Sequence, residues 1–258
     1  PTLTRFSLIA GFLVAIAGCE LVDKELWFLV AEHRQFSPEQ LAEIIEEQTG
    51  LKVVQALVEP GRDPIVAIRN READLALVEN SVTFLPGLRA VIPVYESVLH
   101  IASDPGYEPI DADFPLLDAS FYVANGSVAG RAFVELVIKR QELKLSDIRI
   151  TGEFVEGETD FIIYFGPIDP GNVNWMRPGY VLASLDNELN PRRKFYEEAI
   201  SYTAPKLAPK IIPAFTYNLP GNEEPLLSVS VDTLLVTHKD MPEAAIYELT
   251  RVLLEQKT

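Results

Sequence analysis

Between Glu25 and Val78 the chain reads strand, helix, strand, helix, strand. ELWFLVA (Glu25–Ala31) is an apolar run of strand length. Ser37, Pro38 and Gln40 then supply an N-cap, a first-turn proline and an N3 residue for a helix whose apolar face is Leu41, Ile44 and Ile45. Gly50 stops it, and LKVVQALV (Leu51–Val58) alternates as a second strand. Asp63 and Pro64 open another short helix through Ile65, Ile68 and Arg69, and ADLALV (Ala73–Val78) follows as a third strand. Such alternation predicts α/β architecture with mainly parallel sheets flanked by helices.

The same theme returns further along. Ala90–His100 and Ser120–Ala124 read as strands, Val128–Gln141 as a helix with Val128, Phe133, Val134, Val137 and Ile138 at helical spacing, and DFIIYF (Asp160–Phe165) as a buried strand. Two lobes are therefore expected. Residues 19–104 form the first part of lobe one, 105–190 lobe two, and 191–258 the return and the C-terminal part of lobe one. The 19 prolines gather in connections such as Gly166–Pro170 and Pro213–Pro225, where rigid loops are expected.

Residues 1–18 are set apart from the fold. Arg5 precedes an apolar run, Phe6–Gly18, that is shorter than the ~20 residues a membrane span needs and matches an export signal. Ile16, Ala17, Gly18 and Cys19 resemble a bacterial lipobox, and Cys19 is the one cysteine in the chain. The expectation is a signal peptide at 1–18, lipid on Cys19, and an extracytoplasmic, membrane-anchored protein on the periplasmic side of a Gram-negative cell.

Charge narrows the partners. With 22 basic and 38 acidic residues the formal net charge is -16, which argues against a nucleic-acid binder and against electrostatic attachment to an anionic bilayer. The three histidines, His33, His100 and His238, are too scattered for a zinc motif. No Gly-x-Ser-x-Gly elbow, HExxH pair or phosphate-binding GxxxxGK[ST] loop occurs, so no catalytic residue, metal or cofactor is assigned.

Four segments in order carry a resemblance: AIRNREADLALVEN (Ala67–Asn80), RAVIPVYESVLHIAS (Arg89–Ser103), NGSVAGRAFVELVIKRQELKLSDI (Asn125–Ile148) and LLSVSVDTLLVTHKDMPEAAIYELTRVLLE (Leu226–Glu255). Together they resemble the TAXI family of solute receptors that serve TRAP transporters. The resemblance implies a type II periplasmic-binding fold. Two α/β lobes, hinged together, would close over a small, carboxylate-bearing solute such as an organic acid or amino acid and deliver it to the TRAP membrane subunits. One departure stands out. Where the family has a glycine- and threonine-rich turn after the first strand, this chain reads Glu32, His33, Arg34, Gln35, Phe36, Ser37. Either the ligand differs or solute binding has been lost.

Candidate ligand residues sit in loops at the carboxyl ends of strands, next to helix starts that present free N–H groups. Arg34 offers a bidentate fork and Ser37 a hydroxyl; a solvated loop arginine and a plain helix cap are the alternative readings of the same residues. Asn80 and Ser81 follow the third strand. Asn125, Gly126 and Ser127, with Arg131, open the long helix and suit an anion, although a simple cap has the same composition. Tyr95 lies where a hinge is expected, and Gly166 begins a loop after the buried strand. A sensor or interaction lipoprotein on the same scaffold is the alternative function, and a periplasmic-binding-fold enzyme a more distant one.

Overall fold

A computed structural model of the protein describes residues 25–30, 38–57, 63–81, 84–185 and 204–255. Residues 1–18, expected to form a signal peptide, lie outside the described residues, as do Cys19, His33, Arg34 and Ser37. The first elements are β1 (Leu26–Val30), α1 (Pro38–Thr49), β2 (Val53–Leu57), α2 (Pro64–Arg69), β3 (Leu75–Glu79) and the long β4 (Leu88–Ser103). Then follow β5 (Ser120–Val123), α3 (Val128–Arg140), β6 (Arg149–Thr151), β7 (Phe161–Gly166), β8 (Val181–Ala183), β9 (Ala208–Ile212), β10 (Leu226–His238) and α4 (Glu243–Glu255).

Local chemistry sets the boundaries. Gly50 adopts φ +70 and returns its N–H to Glu46 O at 2.9 Å, ending α1. Asp63 caps α2, its carboxylate accepting the Ile65 N–H at 2.8 Å. Ser127 does the same for α3, accepting from the Gly130 N–H at 2.9 Å.

The described strands form one mixed sheet in the order β2-β1-β3-β10-β4-β7-β5-β6, with β8 added to β4 and β9 to β10. Within each half the expected parallel pairing holds: β1 with β2 and β3, and β5 with β6 and β7. The strands that join the halves run antiparallel. β4 pairs with β10 over Leu88–Val98 and with β7 over Val98–Ser103, while β10 pairs with β9 over Leu226–Ser230 and with β3 over Thr233–Thr237. Two strands thus run from one half into the other, side by side.

Among the described residues, four hydrophobic clusters, two per half, show why both faces of each half are apolar. On β3, Leu75 packs under α1 and α4 with Leu41, Ile45, Leu249 and Leu253, while Ala76 and Val78 pack under α2 with Ile65 and Ile68. On β7, Phe161, Ile163 and Phe165 meet Phe133, Val134 and Ile138 of α3, and Ile162 and Tyr164 point the other way. A strand covered on both faces reads as a continuous apolar run, and FIIYFG is buried at every position. Leu207, Val229 and Val231 also pack with this second lobe, so β10 passes back to the first lobe at Thr233.

Among the described residues, loops cover the outer face of the second lobe. Trp175, Tyr180 and Tyr217 cover it from the loops 167–180 and 213–225. Proline recurs through both loops and excludes a regular helix, so aromatic rings provide the apolar area instead. Tyr164 and Trp175 stack at 4.9 Å and 10°. Gly221 lets the 213–225 loop lie directly against β8: at φ +89, a Cβ there would lie 2.2 Å from Leu182 O.

Candidate functional site

The two lobes touch through the side chain of Glu79, the last residue of β3. Its Oε1 accepts the Ser127 hydroxyl at 2.9 Å, and its Oε2 accepts the Ala129 N–H at 2.8 Å. Ser127 Oγ in turn accepts from Gly130, so the first turn of α3 is closed around a carboxylate supplied by the other lobe. Free N–H groups and the positive end of a helix dipole favour an anion at this position. Burial pushes the Glu79 carboxyl above its ordinary pKa, and the bonds from Ala129 and Ser127 oppose that rise.

Around this contact lie several residues expected from the sequence. Asn80 donates its backbone N–H to Asp232 O at 2.8 Å and ties the end of β3 to β10. The Ser81 hydroxyl is buried and has no hydrogen-bond partner among the described residues. It borders a mainly apolar cavity of about 270 Å³ walled by Ala129, Phe133 and Leu136 of α3 and by Leu207. Tyr95 hydrogen-bonds Thr233 and sits close enough to Glu79 to feel its charge; burial and that charge both raise the phenol's pKa. The pairing register of β4 with β10 slips here, from Tyr95 opposite Thr233 to Pro93 opposite Leu234, leaving Val94 as a bulge.

Other candidates stand differently. The Ala124–Gly126 segment forms a single 3₁₀ turn, and Gly126 is exposed with φ +61. Arg131 is exposed and pairs with Glu135 one turn along α3 at 3.1 Å. Gly166 is the last residue of β7, opposite Val98, rather than the first residue of a loop.

Two features were missed from sequence. The first is Glu79 itself, whose signal was an acidic residue ending a buried strand directly before two polar loop residues. The second is a polar chain under the aromatic loops. His100 Nδ1 lies 2.9 Å from Val98 O, so that nitrogen carries the proton; Nε2 then accepts the Tyr217 hydroxyl at 2.7 Å. The Tyr217 oxygen accepts the Asp169 N–H at 3.3 Å. Burial lowers the His100 pKa to about 4, and burial raises that of Tyr217 to about 12. The neighbouring Tyr164 hydroxyl is buried without a partner among the described residues.

The hinge strands carry a polar seam. Ser97 and Thr233 hydroxyls meet at 2.9 Å, and Glu96 accepts from Ser230 at 2.6 Å and from Lys210. Among the described residues no helix is long and apolar enough to cross a membrane, and no group of His, Cys, Asp and Glu is placed to hold a metal ion.

This arrangement of lobes is shared with solved proteins. The arginine-bound substrate-binding protein AbpA of an amino acid ABC transporter from Streptococcus pneumoniae superposes with a TM-score of 0.54 at 13% identity, covering 90% of this chain and 89% of that one. The chain has the type II periplasmic-binding-protein fold. The arginine-bound truncated ArgBP of T. maritima gives 0.54 at 11% identity, covering 90% and 96%. The GluR0 ligand-binding core with L-glutamate gives 0.50 at 12%, covering 91% and 94%. The model of the NMT1-like family matches residues 181–258, from β8 to the C-terminus. No curated protein matches the chain.

Proposed function

We propose that the protein is an extracytoplasmic receptor that captures a small solute, an amino acid or organic acid, between its two lobes and presents it to a membrane transporter. The observation that carries this reading is the convergence of the carboxyl end of β3 with the start of α3, on lobes joined by the paired strands β4 and β10. Ligand contacts to both lobes favour the closed form, and a transporter that engages only that form would then receive loaded receptor. The amino-acid-bound proteins of the same fold and the NMT1-like match support a solute ligand. The resemblance to TAXI receptors supports a TRAP-type transporter, and the lipobox-like Ile16–Cys19 supports anchoring through lipid on the periplasmic side.

In this reading Ser81, Tyr95 and the 125–127 turn line the solute site, and Arg34 and Ser37 supply donors for a carboxylate. The process is binding, without covalent chemistry. A second reading is favoured by one observation: Glu79 already fills the start of α3, as befits a sensor or interaction lipoprotein that no longer imports a solute.

Native mass spectrometry of the full chain in detergent tests the receptor reading. Incubation with L-arginine, L-glutamate, succinate and other small acids and amino acids is expected to give a 1:1 adduct with one chemical class. Absence of any adduct, from protein that unfolds cooperatively, favours the second reading.

A further inference from the structure

We propose that Glu79 is a resident carboxylate: it takes the anion position at the start of α3, draws the two lobes together without a solute, and denies that position to a solute's own carboxylate. The inference rests on the receptor reading only for its last clause. Three geometric facts lead to it. Glu79 belongs to the first lobe, at the end of β3, and both groups that bind it belong to the second. The bonds engage both carboxylate oxygens, with Ser127 Oγ at 2.9 Å from Oε1 and 3.1 Å from Oε2, and the Ala129 N–H at 2.8 Å from Oε2. Ser127 is also the cap of α3, so the same side chain that orders the helix start aims its hydroxyl proton at Glu79.

The chemistry of this contact is that of a bound carboxylate. A helix start with a serine hydroxyl and a free backbone N–H accommodates one anion, and here the chain supplies it. A solute carboxylate arriving at the same point meets a like charge and must displace two charge-assisted hydrogen bonds. A solute that leaves Glu79 in place instead meets a carboxylate two residues before the buried Ser81 hydroxyl, which has no partner among the described residues, a pair of acceptors that suits a neutral or cationic N–H group. The specificity of this end of the cleft is thereby turned away from anions.

The test needs no solute. In a Cys19→Ser background, cysteines placed at the exposed positions Glu43 on α1 and Lys139 on α3 carry spin labels, and double electron–electron resonance on the full chain in detergent reads the distance between lobes. The unsubstituted Glu79 protein is expected to show one narrow distribution, unchanged by added sodium acetate compared with sodium chloride at equal ionic strength. Glu79→Ala is expected to shift the mean distance by several ångströms and broaden it, and acetate, filling the emptied position, is expected to restore the narrow distribution. Glu79→Gln, which keeps the side-chain size, is expected to fall between the two and to respond weakly to acetate. An unshifted distribution in both variants overturns the proposal, as does an equal acetate response with Glu79 present. If the variants open as expected while no solute is ever bound, the resident carboxylate stands and the receptor reading fails; the reverse result separates them the other way.

Discussion

The Tyr217 hydroxyl lies 2.7 Å from Nε2 of His100 and donates to it, because the other ring nitrogen is committed to the Val98 carbonyl. This pair has a direct consequence for stability against pH. An unfolded histidine titrates near its ordinary 6.5, whereas buried His100 holds out to about 4. As pH falls through that window the unfolded chain takes up a proton that the folded chain refuses, so stability drops. The loss is on the order of 2 to 3 kcal/mol by pH 4. Urea unfolding at pH 7 and pH 4.5 is expected to show a smaller difference in His100→Gln than in the parent, other groups being common to both. Tyr217→Phe is expected to move the titration upward, since it removes the donor that favours neutral imidazole, and to lower stability by about 1 to 2 kcal/mol.

At Gly221 a methyl group would meet the Leu182 carbonyl oxygen at 2.2 Å, and the backbone already sits at φ +89. The Leu182 oxygen and nitrogen it would meet are backbone atoms of β8, which cannot swing aside as a long side-chain end can. Gly221→Ala is expected to destabilise by more than ~2 kcal/mol. A lowered urea midpoint with unchanged slope checks this, and a parent-like midpoint contradicts the tight packing of the 213–225 loop on β8.

Much of this scaffold was legible in the sequence. The apolar periods of 25–78, the caps at Asp63 and Ser127 and the uninterrupted FIIYF each report a local energy that the fold keeps. The short strands β8 and β9 were missed, because three to five residues beside prolines carry no period of their own and exist by pairing with β4 and β10. The site was less legible for the same physical reason. Ser81 and Tyr95 stand out by residue type, but the bond from Ala129 to Glu79 links residues fifty apart, and nothing in either segment names its partner.

Ser81 offers a separation of stability from binding. A buried hydroxyl without a partner costs about 1 to 3 kcal/mol relative to one that is satisfied. Ser81→Ala is therefore expected to leave the melting temperature of the solute-free protein unchanged or raised. Any solute that uses this hydroxyl is expected to bind more weakly to the variant, by roughly tenfold for one hydrogen bond. Melting curves and titrations on the same preparation check both halves.

At the hinge, burial alone would raise the Glu96 carboxyl, but bonds from Lys210 and Ser230 hold it below the usual carboxylate range. Its contribution is present above the unfolded carboxylate pKa and fades as pH falls through the lower folded value. Both partners are partly exposed, 34% for Lys210 and 40% for Glu96, so screening keeps the effect small. Lys210→Ala is expected to change stability by less than about 1 kcal/mol while increasing the salt-independent motion between β9 and β10, read as faster hydrogen exchange at 208–212.

The most direct test of the receptor account is a thermal-shift screen of the full chain in detergent against L-arginine, L-glutamate, L-glutamine, succinate and a wider set of amino acids and organic acids. Binding to the native state alone raises the melting temperature by mass action. The account expects a saturable rise with one chemical class, reduced in Ser81→Ala. A flat response across the whole set, from protein that melts in a single cooperative transition, contradicts it.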